Sequence, residues 1–435
     1  MSTTPSKSDA RVCRPQRRQR EWQDFCLDET LPHDDIARTV WAYVESLDLS
    51  ALYEKIKVSS HDAGRSAIAP EVLVALWLMA TLEGIGSARQ LDRLCRRDAR
   101  YKWICGKVSV NYHTLSDFRS GQVEFLEQLL VDSVAALMDQ GLVPLETVAQ
   151  DGMRVRASAG KSSFRRKPTL EELQQQAEEH LARLKQENEV ESRHEADARK
   201  AAAAERAARE RKERIDAALR QREELAKTRE KRKKGDGEKT RVSTTDPDAR
   251  NMKMANGGFN PAFNVQFSSD ADAQVIVGVD VTNEGTDGAQ MPPMLDQLEA
   301  DYGQRPETCL VDSAFTTKES VTDVERQRTK VVGGIPRAGQ LEKSGGDPHS
   351  PQRHDTPEYI QFRKRMGEAK YQELYKQRPC VAEFPNAVCR NQGLGQFLVR
   401  GLKKVKSVCL LHAIAFNFRR MIQLGALQVE ALPVS

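Results

Sequence analysis

The chain has 435 residues, 30% of them charged, yet its net charge is only +4. That length implies two or more domains and a real core, and so small a net charge conceals local charge whose position matters more than the sum. No apolar run reaches the ~18 residues that span a bilayer, no apolar segment near the start marks a signal peptide, and the eight cysteines form no CxxC, so membrane spans and a structural zinc are not expected and a reducing, cytosolic compartment is.

Residues 1–33 form a polar arm with Arg11, Arg14, Arg17, Arg18 and Arg20 close together. Such an arm either tracks phosphates or is a solvated tail. From 34 to 140 the pattern is helical: Ile36, Val40, Val44 and Leu47 share one face. Pro70 suits a first helical residue and opens an apolar run to Leu82, which predicts a buried central helix ended by Gly84 and Gly86. Ser87 caps the next helix, with Ala88, Leu91, Leu94 and Cys95 inward and Arg89, Arg93, Arg96, Arg97 and Arg100 outward. Thr114 to Asp117 resembles a capping box. Short helices with a basic face fit a DNA-binding unit; a bundle whose basic face is merely wet is the alternative.

The stretch from Glu146 to Ser158 alternates like a strand and carries Asp151 before Gly152. A mid-strand carboxylate is poor for burial and for strand propensity, and such broken local rules mark functional sites. The rival is an Asp-Gly hairpin turn.

Between 168 and 245 a segment rich in Ala, Glu, Arg, Lys, Gln and Leu interrupts the fold. Its stripes, Leu170, Leu173, Ala177, Leu181 and Leu184, then Ile215, Leu219 and Leu225, allow an antiparallel coiled-coil hairpin, pairing with another subunit, or a solvated helix. Strands are expected around Phe263–Phe267, Gln274–Thr282, Thr308–Val311 and Lys330–Pro336, with helices at Met291–Leu298 and Thr317–Arg326. Residues 337–355 read as loop, then a helix runs to about Tyr375. From Glu383 to Leu424 the chain is helical, with Leu411, Ala415, Phe418 and Ile422 as one inward stripe.

If the first strand, ending at Asp151, neighbours the fourth, ending at Asp312, the two aspartates meet where open α/β sheets put their sites. A third acid, Glu383, comes from the last helical part. Three carboxylates converging without basic partners repel one another. Hard oxygen ligands select Mg²⁺ or Mn²⁺, and two such ions ~4 Å apart clamp a phosphoryl transfer. Asp280 has the bland role of a strand residue. Asp287 sits in a loop near the site, more as a turn residue than as a supporting one. His113, His349 and His354 have no metal partners in view.

The residues then carry a resemblance. Asp151-Gly152, Asp248-Ala249-Arg250, Gly258 to Gln266, Val311-Asp312-Ser313 and the spacing Tyr375-x2-Arg378-x4-Glu383-x6-Arg390, followed by Gly393-Leu394, Val399-Arg400-Gly401 and Ala415-Phe416-Asn417, resemble the bacterial insertion-sequence transposases of the DDE class. The resemblance implies an α/β fold: an RNase H-like mixed sheet in 141–167 and 246–425, preceded by an all-α DNA-binding domain in 34–140, interrupted by the helical, coiled-coil-like insertion in 168–245 and followed by a tail in 426–435. It implies Asp151, Asp312 and Glu383 as catalytic ligands of two Mg²⁺ or Mn²⁺ ions, and Tyr375, Arg378 and Arg390 as DNA-contacting. Arg390 stands where lysine is more usual; Phe384 and Asn386 stand where His and Phe are common. Implied partners are double-stranded DNA, as element ends and target, and a second copy or more in a synaptic complex. The implied location is the cytoplasm, at the nucleoid. The rivals are a catalytically dead DNA-binding relative and a metal-dependent nuclease that cuts without joining.

Overall fold

The structure, a computed structural model, describes residues 26–56, 66–190 and 195–427. The arm arginines, Arg11 to Arg20, and the residues from 428 onward lie outside the described residues.

The first half is helical. Helices α1 (Ile36–Glu45), α2 (Ser50–Tyr53), α3 (Pro70–Leu82), α4 (Ala88–Arg97), α5 (Ala99–Cys105), α6 (Tyr112–Gly121) and α7 (Val123–Asp139) follow one another. Pro70 does open α3, which is buried at every position except Glu71. Ser87 does cap α4 by accepting from the Gln90 amide. The expected capping box at Thr114 does not form. Asn111 caps α6 instead, its side chain accepting from the His113 and Thr114 amides, because an Asx side chain just outside the helix reaches those orphan donors better than a hydroxyl inside it.

The sheet begins with β1 (Thr147–Arg156). A two-residue ribbon of β2 (Phe164–Arg165) and β3 (Val242–Ser243) then clasps the base of two long helices, α8 (Lys167–Val190) and α9 (Glu195–Arg232). These fold back on each other: Gln174 donates to Asp216 and Lys212 pairs with Glu178. The insertion is therefore a two-helix hairpin. Leu170, Ala218 and Val242 make a small separate core at its base. Further out Leu173, Leu181 and Leu184 are only half-buried, so polar pairs share the seam.

Next come β4 (Arg250–Lys253), β5 (Phe259–Asp270), β6 (Ile276–Thr282), α10 (Met291–Tyr302), β7 (Thr308–Val311), α11 (Lys318–Arg326) and β8 (Lys330–Gly333). β1 is flanked by antiparallel β5 and parallel β7, and β8 lies parallel outside β7. On its other side β5 carries β4 opposite Phe259–Ala262 and β6 opposite Asn264–Ser269. The sheet is thus mixed, and the first and fourth expected strands are neighbours.

β1 does not end at Asp151. It runs on because Met153 and Val155 still pair with Val265 and Phe263 of β5. The segment read as loop contains α12 (Ala338–Lys343), and the helix expected before Tyr375 is two, α13 (Pro357–Met366) and α14 (Ala369–Tyr375), parted at Gly367. A π-turn (Pro379–Glu383) leads to α15 (Phe384–Asn391), and α16 (Leu402–Gln423) closes the fold.

α16 was expected to bury one stripe. It is buried almost all round from Cys409 to Phe418, because it packs against α3, α6 and α7 and also against β6. The Asn417 amide donates to the Ile276 carbonyl and accepts from the Ile276 amide, 2.8 Å each way. One hydrophobic core therefore runs from the helical half through α16 into the sheet.

Candidate active site

Register brings two acids together. Ala149 of β1 pairs with Leu310 of β7; two residues further, Asp151 stands level with the end of β7, where Asp312 follows Val311. The Asp312 carboxylate accepts from the Ala314 amide at 2.7 Å, an Asx turn that takes the chain off the sheet. Asp151 shares its strand face with Ala149, Met153 and Val155, all buried. That burial pushes its carboxyl up to about 6; the Asn386 hydrogen bond and the Arg378 charge pull the other way, and Asp312 adds to the rise.

The opposite face of β1 is a polar network. Gln150 donates to the Gln266 side chain at 3.0 Å, Gln266 donates to Asp287 at 2.9 Å, Asn264 donates to the same Asp287 oxygen at 2.7 Å, and Arg154 binds the other oxygen at 2.7 Å. Asp287 is more than a turn residue: it is a buried hub behind the strand that carries Asp151. Gly152 makes room for it. A Cβ at Gly152 would lie 2.3 Å from Asp287 Oδ1 and 2.6 Å from Gln266 Nε2. The Asp151-Gly152 pair is therefore not a hairpin turn. Its glycine sits in mid-strand and serves a close approach.

The third acid arrives with basic company. Arg378 Nη2 lies 2.6 Å from Glu383 Oε1, which corrects the expectation of carboxylates converging without basic partners. Glu383 ends the π-turn, and Pro385 stands at the start of α15, where its missing N–H costs nothing. The Glu383 side chain is half-exposed while Arg378 is largely covered. Among the described residues no group of three or more His, Cys, Asp or Glu gathers closely enough to hold a metal ion.

Asn386, one turn into α15, donates to Asp151 Oδ2 at 2.8 Å. Its own Oδ1 is buried without a partner. In the sequence, Asn386 stands out only as a departure from the family's Phe and as an amide among apolar neighbours. Tyr375 is half-buried at the end of α14. A Cβ built on Gly334 would lie 3.4 Å from its hydroxyl and 3.0 Å from the Ser313 Cβ, so Tyr375 flanks the turn after Asp312. Arg390 is exposed on α15. Asp280 faces Lys406 at 3.8 Å on β6. Of the arginines expected outward on the helical half, Arg96 pairs with Asp92, and Arg100 is held by Asp35 and Glu83. Arg89, Arg93 and Arg97 are exposed, with no ion pair among the described residues.

Two family matches cover much of the chain. Residues 12–121 match the family described as Transposase domain, and residues 235–418 match the family described as Transposase DDE domain. Asp312, Tyr375, Arg378, Glu383 and Arg390 lie inside the second match. Asp151 and the hairpin lie in neither; the pairing of β1 with β5 and β7 and the Asn386 hydrogen bond join Asp151 to the second match. No curated protein and no solved structure is matched.

Proposed function

We propose that this chain, which belongs with the insertion-sequence transposases of the DDE class, binds the ends of its own element, cuts there with divalent metal, and joins the freed 3′-hydroxyl to target DNA. The observation that carries this reading is the pair Asp151 and Asp312, level on neighbouring parallel strands, with Asp151 held up to about 6 by burial and by Asp312. The donor chemistry fits a divalent ion: hard carboxylate oxygens suit Mg²⁺ or Mn²⁺, and a cation beside the pair relieves their conflict.

In this reading Asp151, Asp312 and Glu383 hold the metal, which when bound polarises a phosphoryl oxygen and activates water or a 3′-hydroxyl. In-line attack at phosphorus needs no protein nucleophile, which suits a site of acids. Arg378 holds the Glu383 carboxylate and carries positive charge beside Asp151; with DNA present it turns to a backbone phosphate and frees Glu383. Asn386 fixes the Asp151 carboxylate through its hydrogen bond to Oδ2. Tyr375 and Arg390 contact the strand being cut. Residues 34–140, with Arg89, Arg93 and Arg97 free of acids, read the element end. Two ends brought together need at least two copies, and the hairpin is the candidate contact.

The test is cleavage of duplex carrying the flanking element ends, with Mg²⁺, by the wild type and by Asp312→Asn. The expected result is cutting by the wild type and binding without cutting by the variant. Equal cutting by both removes Asp312 from the site. Binding by both with no cutting under any divalent ion replaces the reading with that of a DNA-binding, non-catalytic relative.

A further inference from the structure

Between the two matched regions lies a cavity of about 300 Å³, lined by the ends of α3, α4 and α6, by residues 392–398 and by α16. That volume is at the small end of ligand cavities, which run from roughly 300 to 1,000 Å³. Three residues that line it carry buried polar atoms without partners: Arg119 Nε, both amide atoms of Gln392, and His412 Nδ1. Arg119, Gln392 and His412 are each more than nine-tenths buried.

Arg119 is the most telling. Its Nη1 donates to the Gly86 carbonyl, and its guanidinium lies 4.8 Å from the centre of the Trp77 ring. Among the described residues it has no carboxylate partner, and burial alone acts on its charge, lowering its pKa to about 10. A guanidinium buried without a counter-ion is costly. The first turn of α4 adds to the positive field, since Ser87 and Gln90 line the same cavity. His412 is neutral there, its pKa lowered to about 4 by burial. It offers one proton or one lone pair. One wall of the cavity is a tight crossing: a Cβ at Gly393 would lie 3.0 Å from the Gly84 carbonyl oxygen.

These walls ask for an anion with several oxygens, one of them protonated. A carboxylate could satisfy the Arg119 fork but leaves the other donors idle. With these side chains turned to the cavity, a phosphate oxyanion can accept from Arg119, from the Gln392 amide N–H and from the His412 ring together. Gln392 Oε1 needs a donor. A phosphate monoester, whose second ionisation lies near pH 6, still carries P–OH for part of the time, and a diester never does. We propose that this cavity binds a phosphate monoester or inorganic phosphate through Arg119, Gln392 and His412. The ligand is either free phosphate or nucleotide, or the 5′-phosphate at a DNA end. The inference goes beyond the acidic site and does not depend on its chemistry.

The experiment titrates the full chain with inorganic phosphate, by calorimetry and by thermal unfolding, for the wild type, Gln392→Leu and Arg119→Lys. The wild type is expected to bind saturably and to unfold at higher temperature with phosphate. Gln392→Leu should weaken phosphate binding by about tenfold or more, the loss of one hydrogen-bonding group to a charged ligand. Because it removes an unpartnered buried amide, it should be as stable as the wild type in phosphate-free buffer, which separates lost binding from lost folding. Arg119→Lys keeps the charge but loses the fork, and should weaken binding too. A second arm compares duplexes with 5′-phosphate and 5′-hydroxyl ends. A preference for the phosphorylated end that Gln392→Leu abolishes assigns the ligand to DNA; phosphate binding without that preference assigns it to free phosphate or nucleotide. Absence of saturable binding, or equal binding by wild type and Gln392→Leu, overturns the proposal and leaves a cavity filled with water.

Discussion

Gly152 lacks a side chain because Asp287 occupies the space where one would stand. Gly152→Ala should therefore cost about 1–3 kcal/mol by overpacking, read as a lower urea midpoint, and should push β1 and its Asp151 away from Asp312. Asn386 acts from the other side of the strand. Asn386→Leu keeps the volume but removes the hydrogen bond to Asp151. Its expected effect is a ~10–100-fold loss in Mn²⁺ affinity and in Mg²⁺-dependent cleavage, the usual penalty for removing a residue that orients a ligand, with DNA binding unchanged. Equal Mn²⁺ affinity in the variant would reduce Asn386 to packing. His412 bears on stability instead. Burial holds its folded pKa at about 4, below the ordinary 6.5. Above pH 6.5 it contributes no pH dependence. As pH falls from 6.5 through 4 the unfolded chain takes a proton that the fold refuses, so stability is lost, by up to ~3 kcal/mol. In phosphate-free buffer, denaturant unfolding at pH 7 and pH 4.5 should show this loss in the wild type and a smaller one in His412→Gln.

At the scale of elements, α16 explains why one helix can join two halves of the chain. It has apolar residues on nearly every face, and Asn417 pairs its amide with both backbone groups of Ile276 at the edge strand β6. Asn417→Ala should cost about 2–4 kcal/mol, since it leaves two buried backbone groups unpaired. A thermal unfolding midpoint equal to the wild type would show that water or a backbone shift replaces the amide. Most elements were legible because local signals agreed: Pro70 and Ser87 start helices, and alternation marks β5 and β6. The misreadings have physical reasons. The all-round burial of α16 depends on partners far away in the chain, which one stripe cannot reveal. Asn111 outcompetes Thr114 as a cap because capping depends on where the backbone leaves the helix. α12 is six residues long, too short for a periodic pattern. In the candidate site, the neighbouring of Asp151 and Asp312 was legible only as a condition on strand order, which the β1–β7 pairing meets. The Arg378–Glu383 pair and the Asn386 hydrogen bond were not legible, since both depend on the path of an irregular π-turn.

At the scale of the whole molecule, the helical hairpin stands apart from the single core that unites everything else. Its buried apolar residues at the base, Leu170, Ala218 and Val242, form their own cluster. Its two ends leave the fold side by side, since Arg165 pairs with Val242 across the ribbon. Two carboxylates just after that ribbon anchor the fold: Asp246 accepts from the Gly401 amide and Asp248 from the Leu402 amide, so they cap α16. A chain in which residues 168–240 are replaced by a short turn should therefore keep its core, with an unfolding transition within a few degrees of the full chain's. What it should lose is assembly. The hairpin's half-buried leucines, Leu173, Leu181 and Leu184, offer a seam that α9 only partly covers, and a second copy can cover the rest. With DNA carrying an element end, the full chain is expected to give a species of two copies and two ends in mass photometry. The shortened chain should bind one end as one copy. If it still pairs the ends, the contact between copies lies elsewhere, and the hairpin's charged outer faces are left to the DNA.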